Sequence, residues 1–429
     1  MNELEVFLSK INLICKEQGS LSVEAARKVI YEINSFLFTK YKGIGTLSEF
    51  EKKYEYLSDF HKYWEKNHKE ILNVQIDDEK CEEVADALHD VYVKTGGRAF
   101  REVYDTNGLN DEEVCQIRFL TANQDFRGSR DFKELSDIYK RDPDIFAVEY
   151  VVRKPVGFLN SLDMADLSQT DKRITYAKTI GQFLYERNST PYELLNYYNN
   201  DVYKLRQDLI KYVGAGFGNK KADMFIRDMV VLGIWKNVKG FEKIDVASDV
   251  NTIKVALRTG ILESAIPLVS SFLDIFCYQY SYIDQMNAKA WRRVWEIWRE
   301  KYPERIESPS LLDYFIYRIV GKEFCKENLF TYECVNGHEF KWRNSKKSIC
   351  PTCKEKAEVI YEQYMCDNED GSIITSQFLP EFTNCPLKSV CDSSNKKKLQ
   401  PPKSISIFGK TGWTSAYSER EGGGGGLMA

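Results

Sequence analysis

No run of 18 apolar residues occurs in the 429-residue sequence, so no segment reads as a membrane-spanning helix and no membrane partner is expected. Charge of either sign is not in excess. Sixty Lys and Arg stand against 64 Asp and Glu, a net charge of −4. A chain-wide field therefore gives no case for nucleic-acid binding, and any such case rests on local patches. No long-period repeat is present. The opening "MNELEVFLSK" is acidic and amphipathic, which does not fit a signal peptide, so a cytoplasmic protein is expected. Histidine is scarce. Of four, only His338 lies beyond residue 89.

The length suits two or three domains. Helical patterning dominates: "LSVEAARKVIYEINSFLFTKY" and "DDEKCEEVADALHDVYVKTGG" place apolar residues at i, i+3 and i+4. Asp77 or Asp78 is placed to cap the second, and Gly96-Gly97 to end it. Helices continue to about residue 320. Strands are expected only within 328–362, where "FTYECVNGHEFKW" and "AEVIYEQY" flank a CxxC. The fold class is all-α with a small Cys-rich metal-binding module near the C-terminus. The expected segments are 1–110, an N-terminal helical extension; 111–321, a helical core; 322–392, the metal module; and 393–429, a basic, Gly-rich tail expected to be mobile. Trp291, Trp295 and Trp298, at i, i+4 and i+7, read as a core stripe.

Eleven cysteines divide unevenly. Cys15, Cys81, Cys115 and Cys277 are scattered and read as small buried apolar residues. Cys325, Cys334, Cys350, Cys353, Cys366, Cys385 and Cys391 fall within 67 residues, which in a cytoplasmic chain points to metal rather than disulfides. Within them, Cys334-x3-His338 and Cys350-x2-Cys353 are similar to a zinc ribbon: two ligand-bearing turns joined by short strands, closing a Cys3His zinc site.

The stretch "VGAGFGNKKADMF" (213–225) follows the helical run "VYKLRQDLIKY" and precedes another helix. Helix, Gly-Phe-Gly, helix is a tight hairpin. Its glycines allow positive φ, and bare N–H groups at the next helix start can hold phosphate without reading sequence. An ordinary Gly-capped junction is the plain alternative.

Gly216-Phe217-Gly218-Asn219-Lys220-Lys221-Ala222 resembles the hairpin of the helix-hairpin-helix DNA glycosylase superfamily, the endonuclease III and 8-oxoguanine DNA glycosylase type, which reads G-hydrophobic-G-x-K-x-A. The resemblance covers roughly 112–392 and implies a two-lobed fold. It makes Lys220 the Schiff-base nucleophile, with Gly216, Phe217, Gly218, Asn219 and Lys221 at the DNA backbone. Lys221, about 100° further round the helix, is expected to face solvent or phosphate. Asp249, before "VNTIKVAL", matches the family's catalytic aspartate; it is also a good N-cap. Asp245 competes with it, and the connecting loop is longer than usual and lacks proline. Gln124 in "FLTANQDFRGSRDF" matches the residue that fills the gap left by an extruded base.

"YRIVGKEFC" (317–325) and "PEFTNCPLKSVC" (380–391) resemble the two ends of the family's [4Fe–4S] loop. Phe382 stands where the second ligand belongs, leaving Cys366 to replace it. The resemblance thus implies a cluster on Cys325, Cys366, Cys385 and Cys391, a set that also suits a second zinc. The ribbon would then be an insertion in that loop. The implied function is a DNA N-glycosylase, with or without AP-lyase activity, removing a modified or damaged base from flipped duplex DNA. The tail-bearing form also looks like glycosylase-like accessory proteins of antiphage loci. Two other readings stay open: a non-catalytic module binding nucleic acid or protein, the latter through the N-terminal extension or tail, and an N-glycosylase acting on a free nucleoside.

Overall fold

The computed structural model describes residues 22–35, 55–101, 104–126, 130–165, 169–265, 280–325, 328–342, 349–364, 378–382 and 385–391, with a few positions before 15 and the pairs 405–406 and 416–417. Cys15, Cys277 and Cys366, and nearly all of the tail, lie outside them.

The helices are α1 (Val23–Ser35), α2 (Glu55–Leu72), α3 (Asp78–Thr95), α4 (Asp111–Ala122), α5 (Phe132–Arg141), α6 (Val148–Arg153), α7 (Pro155–Ser161), α8 (Thr170–Glu186), α9 (Leu194–Tyr197), α10 (Val202–Lys211), α11 (Asn219–Val231), α12 (Val250–Thr259) and α13 (Tyr280–Lys301). A π-helix follows at Phe315–Phe324. Strands β3 (Asn328–Cys334), β4 (Glu339–Trp342) and β5 (Ala357–Tyr364) form an antiparallel sheet in the order β4-β3-β5. Strands outside 328–362 were not expected. Yet β1 (Gln75–Ile76) pairs antiparallel with β2 (Leu262–Glu263), a contact between distant segments that no local pattern announces.

The chain forms two compact units, each discontinuous in sequence: Met1–Val91, Ser248–Tyr302 and Phe315–Ala429 make one; Tyr92–Ala247 and Pro303–Tyr314 make the other. This grouping differs from the linear segmentation expected at 110/111 and 321/322, because the N-terminal helices pack on segments more than 200 residues later.

In the first unit, Arg293 holds Asp78 through two bonds of 2.9 and 3.1 Å, tying α13 to α3. Trp291, Trp295 and Trp298 are buried, so the stripe does face the core. Asp77 caps α3, accepting from the Lys80 N–H at 3.0 Å. The π-helix packs on α12. Lys254 Nζ donates to the Gly321 carbonyl at 2.9 Å, and a Cβ on Gly321 would stand 2.8 Å from the Asn251 Cβ.

In the second unit, α4 and α5 start with reciprocal capping boxes, Asn110 with Glu113 and Asp131 with Glu134. Phe119, Phe183, Phe217 and Phe225 fill its core. A buried ionic network crosses it. Asp228 accepts from Arg118 at 3.1 Å and from Arg227 at 2.6 Å, while Arg227 also pairs with Asp313. Such a network is retained only when its charges are mutually satisfied, since one unpaired buried charge costs several kcal/mol (roughly 3–5). Cys81 and Cys115, in different units, are both fully buried, as expected of the scattered cysteines.

Candidate functional site

The metal-binding module is built by two tight turns. After β3, Cys334 to His338 folds back, with Gly337 at φ +75° and its N–H on the Cys334 carbonyl at 2.8 Å. The second turn runs from Cys350 to Lys354, which sits at φ +64°; the Cys350 N–H reaches the Glu355 carbonyl at 2.8 Å. Antiparallel pairing of β3 with β4 and β5 then sets the turns beside each other, over Tyr332, which stacks on Phe340 with centroids 5.1 Å apart.

The ligand atoms of Cys334, His338, Cys350 and Cys353 all lie within 4.8 Å of one another. Cys334 Sγ stands 3.5 Å from His338 Nδ1 and 3.6 Å from Cys353 Sγ, and Cys350 Sγ is 3.9 Å from His338 Nδ1. A tetrahedral zinc with ordinary bond lengths needs about 3.8 Å between sulfurs and about 3.6 Å between sulfur and nitrogen. The donor set fits. Backbone N–H groups aim at the sulfurs, as in the His338 N–H to Cys334 Sγ bond of 3.3 Å. At Cys353 the Glu355 N–H is the chief influence and holds the thiol down at about 7. That favours the thiolate a metal requires. The chain therefore carries a Cys3His cluster able to hold a zinc-like ion.

Cys325 is buried at the end of the π-helix, its N–H on the Val320 carbonyl at 2.6 Å. Cys385 and Cys391 are half-buried, and Cys366, the fourth member of that expected set, falls outside the described residues. Among the described residues, the ribbon set is the one group close enough to share an ion.

The glycine turn joins α10 to α11. Asp223 on α11 forms a buried two-bond pair with Arg206 on α10, closing the hairpin. Gly214 and Gly216 take φ of +85° and +75°. Gly216 also lies against the Tyr176 ring, where an added Cβ would be only 2.5 Å away. Gly218 serves α11 as an N-cap with no side-chain partner, and a Cβ there would meet nothing within 4 Å. Gly218, Asn219 and Lys220 are exposed. The open N-terminus of a 13-residue helix thus stands at the surface with its amide donors uncapped by a side chain.

Other expected residues take different places. Phe217 is a core residue, packed on Phe119 at 5.9 Å and on Phe225 at 6.4 Å. Gln124 is fully buried, with Nε2 donating to the Arg173 carbonyl at 3.2 Å. Filling the space of an extruded base needs a surface side chain, which Gln124 is not here. Lys221, expected outward, turns inward: Nζ donates to the Asn123 carbonyl at 2.6 Å and lies over the Phe126 and Tyr176 rings. Asp249 caps α12. It accepts from the Thr252 N–H at 2.8 Å and from Asn251 Nδ2 at 3.2 Å. Asp245 is half-buried, near enough to Arg206 to favour its charge. Lys220 belongs to the second unit and Asp249 to the first.

Arg173 escaped the sequence reading. Its guanidinium lies over Phe126 at 4.1 Å and donates to the carbonyls of Gln124 and Phe126. A signal was available, because Arg173 shares a helical stripe with Ala177, Ile180 and Leu184, all fully buried. Compared with known proteins, the chain matches no family model and no curated protein.

Proposed function

We propose that the chain is a DNA N-glycosylase of helix-hairpin-helix type, acting on a modified or damaged base, with antiphage defence as its setting. One observation carries the reading: a Gly-Phe-Gly turn presents an uncapped helix N-terminus and an exposed lysine side by side at Gly218, Asn219 and Lys220. Backbone amides of that kind suit a DNA phosphate, and an adjacent amine suits attack on the sugar. In this reading neutral Lys220 forms a bond to C1′ as the base leaves with its electron pair. The Asp249 carboxylate stabilises the cationic character at the sugar. The attacking form of Lys220 is the neutral amine, whose lone pair makes the new bond.

In this reading the ribbon's metal is structural rather than reactive. A second metal group, a [4Fe–4S] cluster or another zinc, would be held by Cys325, Cys366, Cys385 and Cys391. Partners beyond DNA would engage the N-terminal segment or the tail.

A second reading is a nucleic-acid-binding module without catalysis. It is favoured by the engagement of both Asp249 oxygens, one in capping α12 and the other by the Asn251 side-chain amide. Borohydride trapping on a panel of damaged duplexes separates the two. The enzyme reading expects a covalent adduct that disappears in Lys220→Gln and weakens in Asp249→Asn. Salt-sensitive binding with no adduct on any duplex supports the module instead.

A further inference from the structure

The exposed side of α8 continues the surface of the glycine turn. The turn lies directly on that helix: a Cβ on Gly214 would stand 3.3 Å from Thr179 Oγ1 and 3.7 Å from Thr175 Cγ2, and one on Gly216 would stand 2.5 Å from the Tyr176 ring. From Lys172 to Tyr185 the helix contains no Asp or Glu. Lys172, Thr175, Lys178 and Tyr185 are exposed there. At 100° per residue the four fall within an arc of about 140°, and Lys178 and Tyr185, seven apart, come within about 20° of alignment. At 1.5 Å per residue the stripe is about 20 Å long. Carboxylates stand only at its two ends. Asp171 is exposed, whereas Glu186 is engaged, accepting from the Tyr212 hydroxyl at 2.7 Å and standing 3.9 Å from Arg187. Two apolar groups on this side are open to water. Tyr185 is 70 % exposed, and among the described residues no ring or cation lies against it. Val213, on the turn itself, is 93 % exposed.

We infer that this face, continuous with the hairpin, holds single-stranded DNA, with phosphates against Lys172, Lys178 and the amides at Gly218 and a base stacked on Tyr185. The inference rests on the hairpin's holding a nucleic-acid phosphate, which both readings above share, and not on the base-removal step.

The charge pattern selects a polyanion, and the ring selects its unpaired form. In a duplex the bases stack on one another, so an exposed tyrosine meets only groove edges and backbone. An unpaired base offers its face, and a ring beside a cationic track is what grips a strand without reading its sequence. The length agrees. A stripe of about 20 Å spans about six phosphates at the roughly 3.4 Å rise of a stacked strand. That lies within the roughly 4–16 nucleotides of one single-strand site.

The test uses the full chain and fluorescence anisotropy. The probes are oligothymidylate of about 20 nucleotides, long enough for one such site, and oligouridylate and a blunt duplex of the same length. Oligothymidylate should bind more tightly than the duplex. Tyr185→Ala should weaken it about 5- to 150-fold, the worth of one stacked base, and Tyr185→Phe should keep most of the affinity. Lys178→Gln should make log affinity fall less steeply with log salt, by about 0.7 in slope, the share of one phosphate on a single strand. Both side chains are exposed, so the melting temperature should stay put, which separates a lost contact from a lost fold. A duplex bound as tightly as oligothymidylate, no effect of Tyr185→Ala, or an unchanged salt slope in Lys178→Gln would overturn the inference. Tighter binding of oligouridylate would overturn it too, by assigning the face to RNA. A trapped duplex adduct, with Tyr185→Ala silent on oligothymidylate, counts against this inference alone. Tyr185-dependent binding of oligothymidylate, with no adduct on any duplex, counts against the glycosylase reading alone.

Discussion

Two glycines two residues apart should respond to the same substitution in opposite ways. Gly216 has φ +75°, a conformation in which an L-residue is strained by about 1–2 kcal/mol. Its added Cβ would also stand 2.5 Å from the Tyr176 ring. The ring cannot retreat freely, because its edge meets Phe126 and Lys221 lies across its face. Overpacking of this kind costs about 1–3 kcal/mol. Gly216→Ala should therefore destabilise the second unit by about 2–5 kcal/mol, the sum of the strain and overpacking costs. At about 2–4 °C per kcal/mol for a unit of this size, a 3 kcal/mol loss lowers its melting temperature by about 6–12 °C. Gly218 has φ −102° and open space around it. Gly218→Ala should cost less than about 1 kcal/mol, the difference between Gly and Ala as an N-cap. Both variants are measured by thermal and urea unfolding against the wild type. Equal losses at the two positions would refute the account of the turn. If the amides at Gly218 bind phosphate, its methyl should weaken duplex binding with stability nearly intact, a dissociation neither loss of fold nor loss of charge produces.

Purified protein should contain about one zinc in the Cys3His site, the normal content of such a closed set. Cys350→Ser should lose that zinc, and chelation should raise protease sensitivity within 328–364; retention of full zinc by the variant removes the site, and iron with cysteinate absorption would identify the second cysteine set. Stability should also depend on pH through Lys221. Its folded value is about 8 against 10.5 for an ordinary lysine, so the unfolded chain binds more protons between those values and stability rises with pH across that window. The cost of the buried ammonium is fully present below about pH 8 and is relieved towards 10.5. Urea unfolding of wild type and Lys221→Met at pH 7.5 and 9.5 should show the wild type gaining on the variant; a gap that is constant or widens the other way refutes the burial.

Local spacing determined the features closed by nearby residues. The ribbon is one: Cys334 and His338 are four apart and Cys350 and Cys353 three apart, so each pair is set by a single turn, and only the meeting of the turns needed the sheet. The glycine hairpin, the tryptophan stripe on α13 and the cap at Asp249 were legible for the same reason, because a helix period or a cap acts over a few residues. Tertiary packing decided the rest. Helix geometry separates Lys220 from Lys221 by about 100°, but which of them faces inward depends on Asn123, Phe126 and Tyr176, brought together from α8 and the end of α4. Gln124 is buried by the same convergence, Gly216 is required because a ring 40 residues away lies against it, and the N-terminal helices join segments beyond residue 247. Sequence periodicity records which face of an element is apolar; it carries no information about which distant element covers that face, and that choice decides which of two adjacent amines is open to solvent and which is caged.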